Sequence, residues 1–199
     1  MPLSDYRYLL EIISRQKKRA ELGLNNDDFV IMSTGELNAN KNHEVIIRAI
    51  YELHDLRIKY IIAGKGILQE YLQGLIKDLG LNDQVKLLGF RTDIPELLHT
   101  SDCFAFPSHR EGLGLAAIEA MAAGLPLLTS NIGGINSYSE NDVTGYKNDP
   151  NNVNGFAEGI QNLMNTSEAL VFSKKCENKA TKYDVSVVNK VMHEVYTEL

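Results

Sequence analysis

Two carboxylates eight residues apart, Glu111 and Glu119, frame the run EGLGLAAIE. Glu111 precedes a loop that contains Gly112, Leu113 and Gly114. Glu119 sits in a predicted helix with almost no polar face, because Leu115, Ala116, Ile118, Ala120, Met121 and Ala122 leave it no water-facing stripe. A charge on such a helix has to be paired, neutralised or directed into a cleft. With the helix starting at Gly114, Glu111 stands at the loop mouth and Glu119 about 7.5 Å further along the axis. The free N–H groups of Gly114 and Leu115 then face the same cleft and make an anion site. Carboxylates that grip hydroxyls, next to a helix end that grips phosphate, suit a sugar nucleotide.

Other candidate groups lie in loops elsewhere in the chain. Lys41 belongs to the polar loop GELNANKN, at the start of a helix predicted over 43–54 with Asn42 as its N-cap. A cation there opposes the helix dipole, so it either extends into solvent or awaits an anion. The turn Gly64–Lys65–Gly66 follows an apolar segment; glycine there answers a backbone need, and Lys65 reads as solvated. A second Gly-rich turn, NIGGINSY at 131–138, falls beside the carboxylate helix.

The elements that must position these groups alternate. Short apolar runs at 29–34, 60–63, 85–88, 103–107, 126–130 and 144–147 read as strands. Helical periodicity occupies 5–22 (stopped by Gly23), 43–54, 67–79 (stopped by Gly80), a short helix capped by Asp93 with Pro95 in its first turn, and 151–164, 167–180 and 184–198. This alternation predicts an α/β fold, a Rossmann-like parallel sheet with helices on both faces. Such sheets bind ligands off the carboxyl ends of their strands. The loops 35–42, 64–66, 89–92, 107–114 and 131–138 all lie at such ends, so charge and glycine from five places converge on one rim.

Composition narrows the partners. The 199 residues are 44% hydrophobic and 23% charged, enough for one good core. A net charge of −6 disfavours a general nucleic-acid surface. Cys103 and Cys176 match no metal spacing and read as free thiols of a reducing compartment. The N-terminus lacks a signal-peptide layout, and no apolar run reaches membrane-span length, so a cytoplasmic location is expected, peripheral to a membrane only through another part. A dinucleotide dehydrogenase is disfavoured, since no G-x-G-x-x-G sits at the first strand-to-helix turn.

At this point the sequence resembles the C-terminal, donor-binding half of the large retaining glycosyltransferase group built from two Rossmann-like domains, the GT-B architecture of family 4. Glu111 and Glu119 match its E-x7-E signature within EGLGLAAIEAMAAGLPLLTS; STGELNANKNHEVIIRA, IIAGKG, KLLGF, DIPELL and VTGYKNDPNNVNGFAEGI follow in family order. The resemblance spans about residues 15–199, the expected nucleotide-sugar-binding domain, with 1–14 as a linker or N-terminal helix segment. It implies that the donor substrate is a nucleoside-diphosphate sugar, a UDP-sugar by the family's breadth, used in polysaccharide or glycan biosynthesis with no cofactor beyond that donor; the sequence carries no metal-ligand cluster, so metal-independent catalysis is expected. Glu111 would be the catalytic residue, lying against the donor sugar and the charge that develops at its anomeric carbon. Glu119 would accept the ribose hydroxyls, the Gly114 and Leu115 amides in the Gly112–Leu115 segment would hold the distal phosphate, and Lys41 the diphosphate. Gly35 and Gly64 would line the nucleotide, with Phe90 and Arg91 flanking its base.

Two residues depart from the family. Glu36 stands where an arginine is usual in the first loop, and unless it turns away, Arg91, Arg110 or His109 would have to compensate. Ser137 stands where a glutamate usually follows the GG turn. Family members also carry an N-terminal acceptor domain of similar size. The chain is therefore expected to be an excised domain, a truncated product or one subunit of a split enzyme, inactive alone. Two other readings are a non-catalytic or partner-dependent subunit, and half of a sugar-nucleotide epimerase.

Overall fold

The computed structural model describes residues 15–197. The N-terminal part of the helix expected over 5–22 therefore lies outside the described residues; its remainder is α1, Arg15–Glu21. Six parallel strands follow: β1 (Phe29–Thr34), β2 (Ile58–Ala63), β3 (Val85–Gly89), β4 (Cys103–Phe106), β5 (Leu127–Ser130) and β6 (Gly145–Asn148). Their spatial order is β3-β2-β1-β4-β5-β6, so the winding reverses between β1 and β4. Helices α2 (His43–Leu53), α3 (Gln69–Asp78), α4 (Ile94–Thr100) and α5 (Leu115–Ala122) connect successive strands, β5 and β6 are joined through a 3₁₀ turn, Gly133–Ser137, and α6 (Val153–Leu163), α7 (Thr166–Ala180) and α8 (Val185–Thr197) follow.

Successive side chains of a strand point to opposite faces, and both faces are covered. Val30, Met32, Phe104, Phe106 and Leu127 pack with α4, α5 and α7. Ile31, Tyr60, Ile62, Ala105 and Leu128 pack with α2, α3 and α6. This is why the strands read as continuous apolar runs rather than alternating ones. The sequence expectations hold within a few residues at element ends, with β2 starting at Ile58 and α3 at Gln69.

Three local expectations are altered by tertiary partners. Asn42 occupies the N-cap position of α2 in a left-handed conformation (φ 52°) and makes no side-chain cap. Its amide instead donates to the Pro107 and Pro150 carbonyls, at 3.2 and 2.7 Å. Asp93 likewise precedes α4 without capping it, because Arg91 and Lys18 engage its carboxylate. The start read at Gly114 is the N-cap, with α5 beginning at Leu115. Cys103 and Cys176 are free and buried, and burial pushes both thiols up, Cys176 to about 12.

Candidate functional site

The reversal of winding opens a crevice above β1 and β4, the usual ligand position in this class of sheet. The loop after β1 carries Lys41 and the loop after β4 carries Glu111. Asn40 ties them together. Its carbonyl accepts from the His109 N–H at 2.8 Å, its side-chain oxygen from the Arg110 N–H at 3.0 Å, and its amide donates to the Arg110 carbonyl at 2.9 Å. With Asn42 on Pro107, residues 40–42 and 107–110 form one stapled unit.

On this unit Lys41 Nζ donates to Glu111 Oε2 at 2.6 Å. The pair is partly solvated, the side chains being 21% and 18% exposed. The ammonium also stands 4.8 Å above the Phe106 ring, a cation–π contact. The awkwardly placed cation therefore has an anion, supplied by the protein itself from 70 residues away. The stem of Lys41 lies over Gly35, whose added Cβ would stand 3.4 Å from Lys41 Cε.

Gly114 makes the entry to α5 possible. Its φ of 70° disfavours a side chain, and a Cβ there would meet Tyr138 Oη at 2.6 Å, Phe106 Cε1 at 2.8 Å and Glu111 Cγ at 3.1 Å. The helix end thus packs against the base of Glu111. Among the described residues nothing accepts a hydrogen bond from the Gly114 or Leu115 amide, so both remain available at the rim. Gly112 and Leu113 are exposed in the preceding loop, and Leu115 is exposed on the first turn. Further along α5, Glu119 is half-buried and its carboxylate has no partner among the described residues.

The β2 and β3 ends complete the rim. Gly64 touches the first loop so closely that a Cβ on it would lie 1.8 Å from the Gly35 carbonyl oxygen. Beside it lies a hollow of about 400 Å³ reached by Gly35, Gly64, Phe90 and Arg91. The guanidinium of Arg91 is engaged by Asp93 at 2.7 and 2.5 Å and lies 3.7 Å from Glu21. Of the groups able to offset Glu36, Arg91 is thus occupied, while His109 and Arg110 are exposed at the Asn40 staple. Glu36 is itself exposed and accepts from Asn38 at 3.0 Å. Among the described residues no three His, Cys, Asp or Glu side chains cluster as metal ligands would.

Lys41, Gly35, Glu111 and Gly114 are therefore in one cluster, and Gly64, Phe90 and Arg91 adjoin it on the β2–β3 side. Sequence reasoning did not single out Asn40, whose role depends on a contact across the sheet. It also missed Tyr138, a fully buried tyrosine whose hydroxyl has no partner among the described residues and lies beneath the Glu111 loop. Burial, with Glu111 nearby, pushes that hydroxyl well above its ordinary pKa.

Comparison with known proteins shows the family. The family described as Glycosyl transferases group 1 matches residues 14–183. The chain belongs to the group 1 glycosyl transferases. The UDP-Gal:alpha-D-GlcNAc-diphosphoundecaprenol alpha-1,3-galactosyltransferase of Escherichia coli is 34% identical over 167 residues, 81% of this chain and 43% of its own length. Anabaena Alr3699/HepE, solved in complex with UDP, is similar at a TM-score of 0.86 and 28% identity over 93% of this chain and 52% of that one. The C-terminal domain of LpcC, a group 1 family protein of Francisella tularensis, shares the fold at a TM-score of 0.78 and 21% identity, covering 86% of this chain and 94% of that one. This group 1 chain spans about half the length, or less, of the first two. Its Rossmann-like sheet is one half of the GT-B architecture. Among the described residues no helix is long and apolar enough to cross a membrane.

Proposed function

We propose that this domain binds a nucleoside-diphosphate sugar, a UDP-sugar in first place, as the donor half of a retaining glycosyltransferase of glycan or polysaccharide biosynthesis. The carrying observation is the meeting of Lys41, Glu111 and the open Gly114 and Leu115 amides at the β1/β4 crevice. Cleavage of the sugar–phosphate bond leaves negative charge on the nucleoside diphosphate and positive charge at the anomeric carbon. The amides at the start of α5 receive the distal phosphate. Lys41 turns from Glu111 to the diphosphate and supplies the positive charge for its departure without a metal. Glu111, released from that pair, faces the sugar hydroxyls and the positive charge at the anomeric carbon. Glu119, unpartnered among the described residues, accepts the ribose hydroxyls, and Phe90 with the Arg91 backbone flanks the base. The acceptor and the remaining active-site groups come from a second domain or subunit, so the domain alone binds donor but transfers little. The setting is cytoplasmic.

Titration calorimetry with UDP, GDP and ADP, each alone and as a sugar nucleotide, tests this reading. Heat with at least one of them, weakened about tenfold or more in Glu119→Ala, is expected, since a hydrogen bond to a charged group contributes roughly 1.5–3 kcal/mol. No heat at millimolar ligand overturns the reading. Glu36, placed where the family usually has arginine, favours a second reading, a non-catalytic or partner-dependent subunit. Nucleotide binding without transfer, even when an acceptor domain is supplied in trans, would select it.

A further inference from the structure

The hollow beside the Lys41–Glu111 pair holds an arrangement that the diphosphate chemistry does not use. It is lined by Gly35, Glu36, Gly64, Lys65, Phe90 and Arg91 and measures about 400 Å³. Phe90 is 72% exposed and offers a flat apolar face. Arg91 brings no spare charge, being held by Asp93. Glu36 and Lys65 remain, opposite charges on neighbouring loops joined by the hydrogen bond from the Leu37 N–H to the Lys65 carbonyl at 3.1 Å.

Among the described residues no ion pair joins Glu36 to Lys65, and the Lys65 ammonium has no partner of any kind. Its side chain runs over Gly89 at the end of β3, with Cε 3.8 Å from where a Cβ on that glycine would stand, next to Phe90 in sequence. The Glu36 carboxylate receives one hydrogen bond, from Asn38, and keeps most of its accepting capacity. An acceptor and a donor that line the same small space without satisfying each other match a ligand whose edge carries a donor next to an acceptor.

We propose that Glu36 and Lys65 read the edge of the nucleobase and select a keto base. This rests on the reading of the rim as a nucleoside-diphosphate site. The carboxylate accepts the ring N–H, the ammonium donates to the adjacent carbonyl oxygen, and the ring lies on Phe90. Uracil and guanine both present an N–H beside a C=O. Cytosine and adenine present a bare ring nitrogen beside an amino group, so both protein charges would be left facing the wrong partner. The assignment also gives Glu36 a task away from the diphosphate, where its charge would repel.

The test compares UDP, CDP, GDP and ADP by calorimetry on the wild-type protein, Lys65→Met and Glu36→Ala. Both altered side chains are exposed, and unchanged unfolding midpoints confirm that the variants fold. The wild type is expected to bind its preferred keto nucleotide, UDP or GDP, at least about tenfold more tightly than CDP and ADP. Each variant is expected to lose most of that preference by weakening the keto nucleotide, while CDP and ADP bind as well as before or somewhat more tightly. Whether UDP or GDP binds more tightly identifies the base. Equal binding of keto and amino bases by the wild type overturns the proposal, and so does a loss in Lys65→Met that is the same for all four, since that marks a cation sensing phosphate. Both results leave nucleotide binding standing. A wild type that binds none of the four overturns the donor-site reading itself, and this assignment falls with it.

Discussion

The two ends of the sheet are made of similar residues and treat them in opposite ways. At the amino end, Arg19 is 2% exposed and its guanidinium is saturated. It donates to the carbonyls of Thr100, Asn25, Asn26 and Asp28 and to Asp102 Oδ2 at 2.8 Å. Asp102 in turn accepts from Arg15 and from the Val30 N–H. At the carboxyl end, Lys65 and Glu119 have no partners among the described residues, and Lys41 and Glu111 have chiefly each other. The buried side-chain atoms without a partner also gather there: His43 Nε2, Ser108 Oγ, Ser130 Oγ, Tyr138 Oη and Asn148 Nδ2 follow β1, β4, β5 and β6 or end them. A charge whose valences are filled by its own chain closes a structure, whereas one left short is poised for a ligand.

The contrast is broken most severely at the saturated end. Arg19→Met removes five hydrogen bonds, strands buried carbonyls and leaves Asp102 with less counter-charge. A loss of about 3–5 kcal/mol in urea unfolding is expected. Nucleotide affinity of the folded fraction should stay within about twofold, because the two ends share no partners. A large affinity change at unaltered stability would show that the ends are not separate.

A second test lies under the rim. Ser33 donates to the Ala105 carbonyl at 2.6 Å, so its hydroxyl must accept from Tyr60, 2.7 Å away. The Tyr60 hydroxyl has then spent its proton, and His43 Nδ1, 3.1 Å from it, must be the donor. His43 is thus a neutral Nδ1–H imidazole, and burial, with Lys41 nearby, lowers its pKa to about 4. The unfolded chain titrates this group near 6.5 and takes up a proton that the folded one refuses. Stability should be insensitive to this group above pH 6.5 and fall by about 3 kcal/mol as the pH drops to about 4. Unfolding of wild type and His43→Gln across that range measures it; parallel pH dependences would refute the assignment.

How much of this was legible in the sequence follows from the range of each interaction. The strands could be read because both their faces are buried, and α5 because Glu119 interrupts an otherwise apolar run. Lys41 could be singled out because a cation at a helix start is locally unfavourable. Its partner could not: Glu111 is 70 residues away, and only the β1/β4 neighbourhood brings them to 2.6 Å. The same holds for Asn40, an ordinary loop residue until the second loop arrives, and for Tyr138, whose hydroxyl is orphaned by packing that no local pattern encodes. Asn42 and Asp93 show the converse, since both had the right residue type for a cap and found stronger partners across the fold.

Lys41 offers the sharpest probe of the open end. If its ammonium passes from Glu111 to the diphosphate, Lys41→Met should weaken nucleoside-diphosphate binding by roughly 2 kcal/mol, about thirtyfold, the range of a charge-assisted hydrogen bond. The pair is partly solvated, so stability should change by less than about 1 kcal/mol. Calorimetry and urea unfolding on one sample separate the two. A variant that loses stability but keeps its affinity would reassign Lys41 to the saturated class.

The smallest expected effect has the least obvious sign. On the proposed reading, the ion pair with Glu111 competes with an incoming diphosphate for Lys41. Glu111→Gln keeps the shape and one accepting oxygen but removes the competing charge. UDP without its sugar should therefore bind more tightly, by up to about 1 kcal/mol or roughly fivefold, the scale of a partly exposed ion pair. The gain should shrink with added salt, which screens the pair already. With an acceptor domain present, transfer should collapse in the same variant if, as proposed, this carboxylate is the one that faces the anomeric carbon. Tighter product and lost turnover from one substitution would mean that Glu111 holds Lys41 in reserve rather than merely neutralising it. Weaker UDP binding in Glu111→Gln would mean instead that the carboxylate supports the nucleotide site, and that the ion pair at the rim is structural like the one around Arg19.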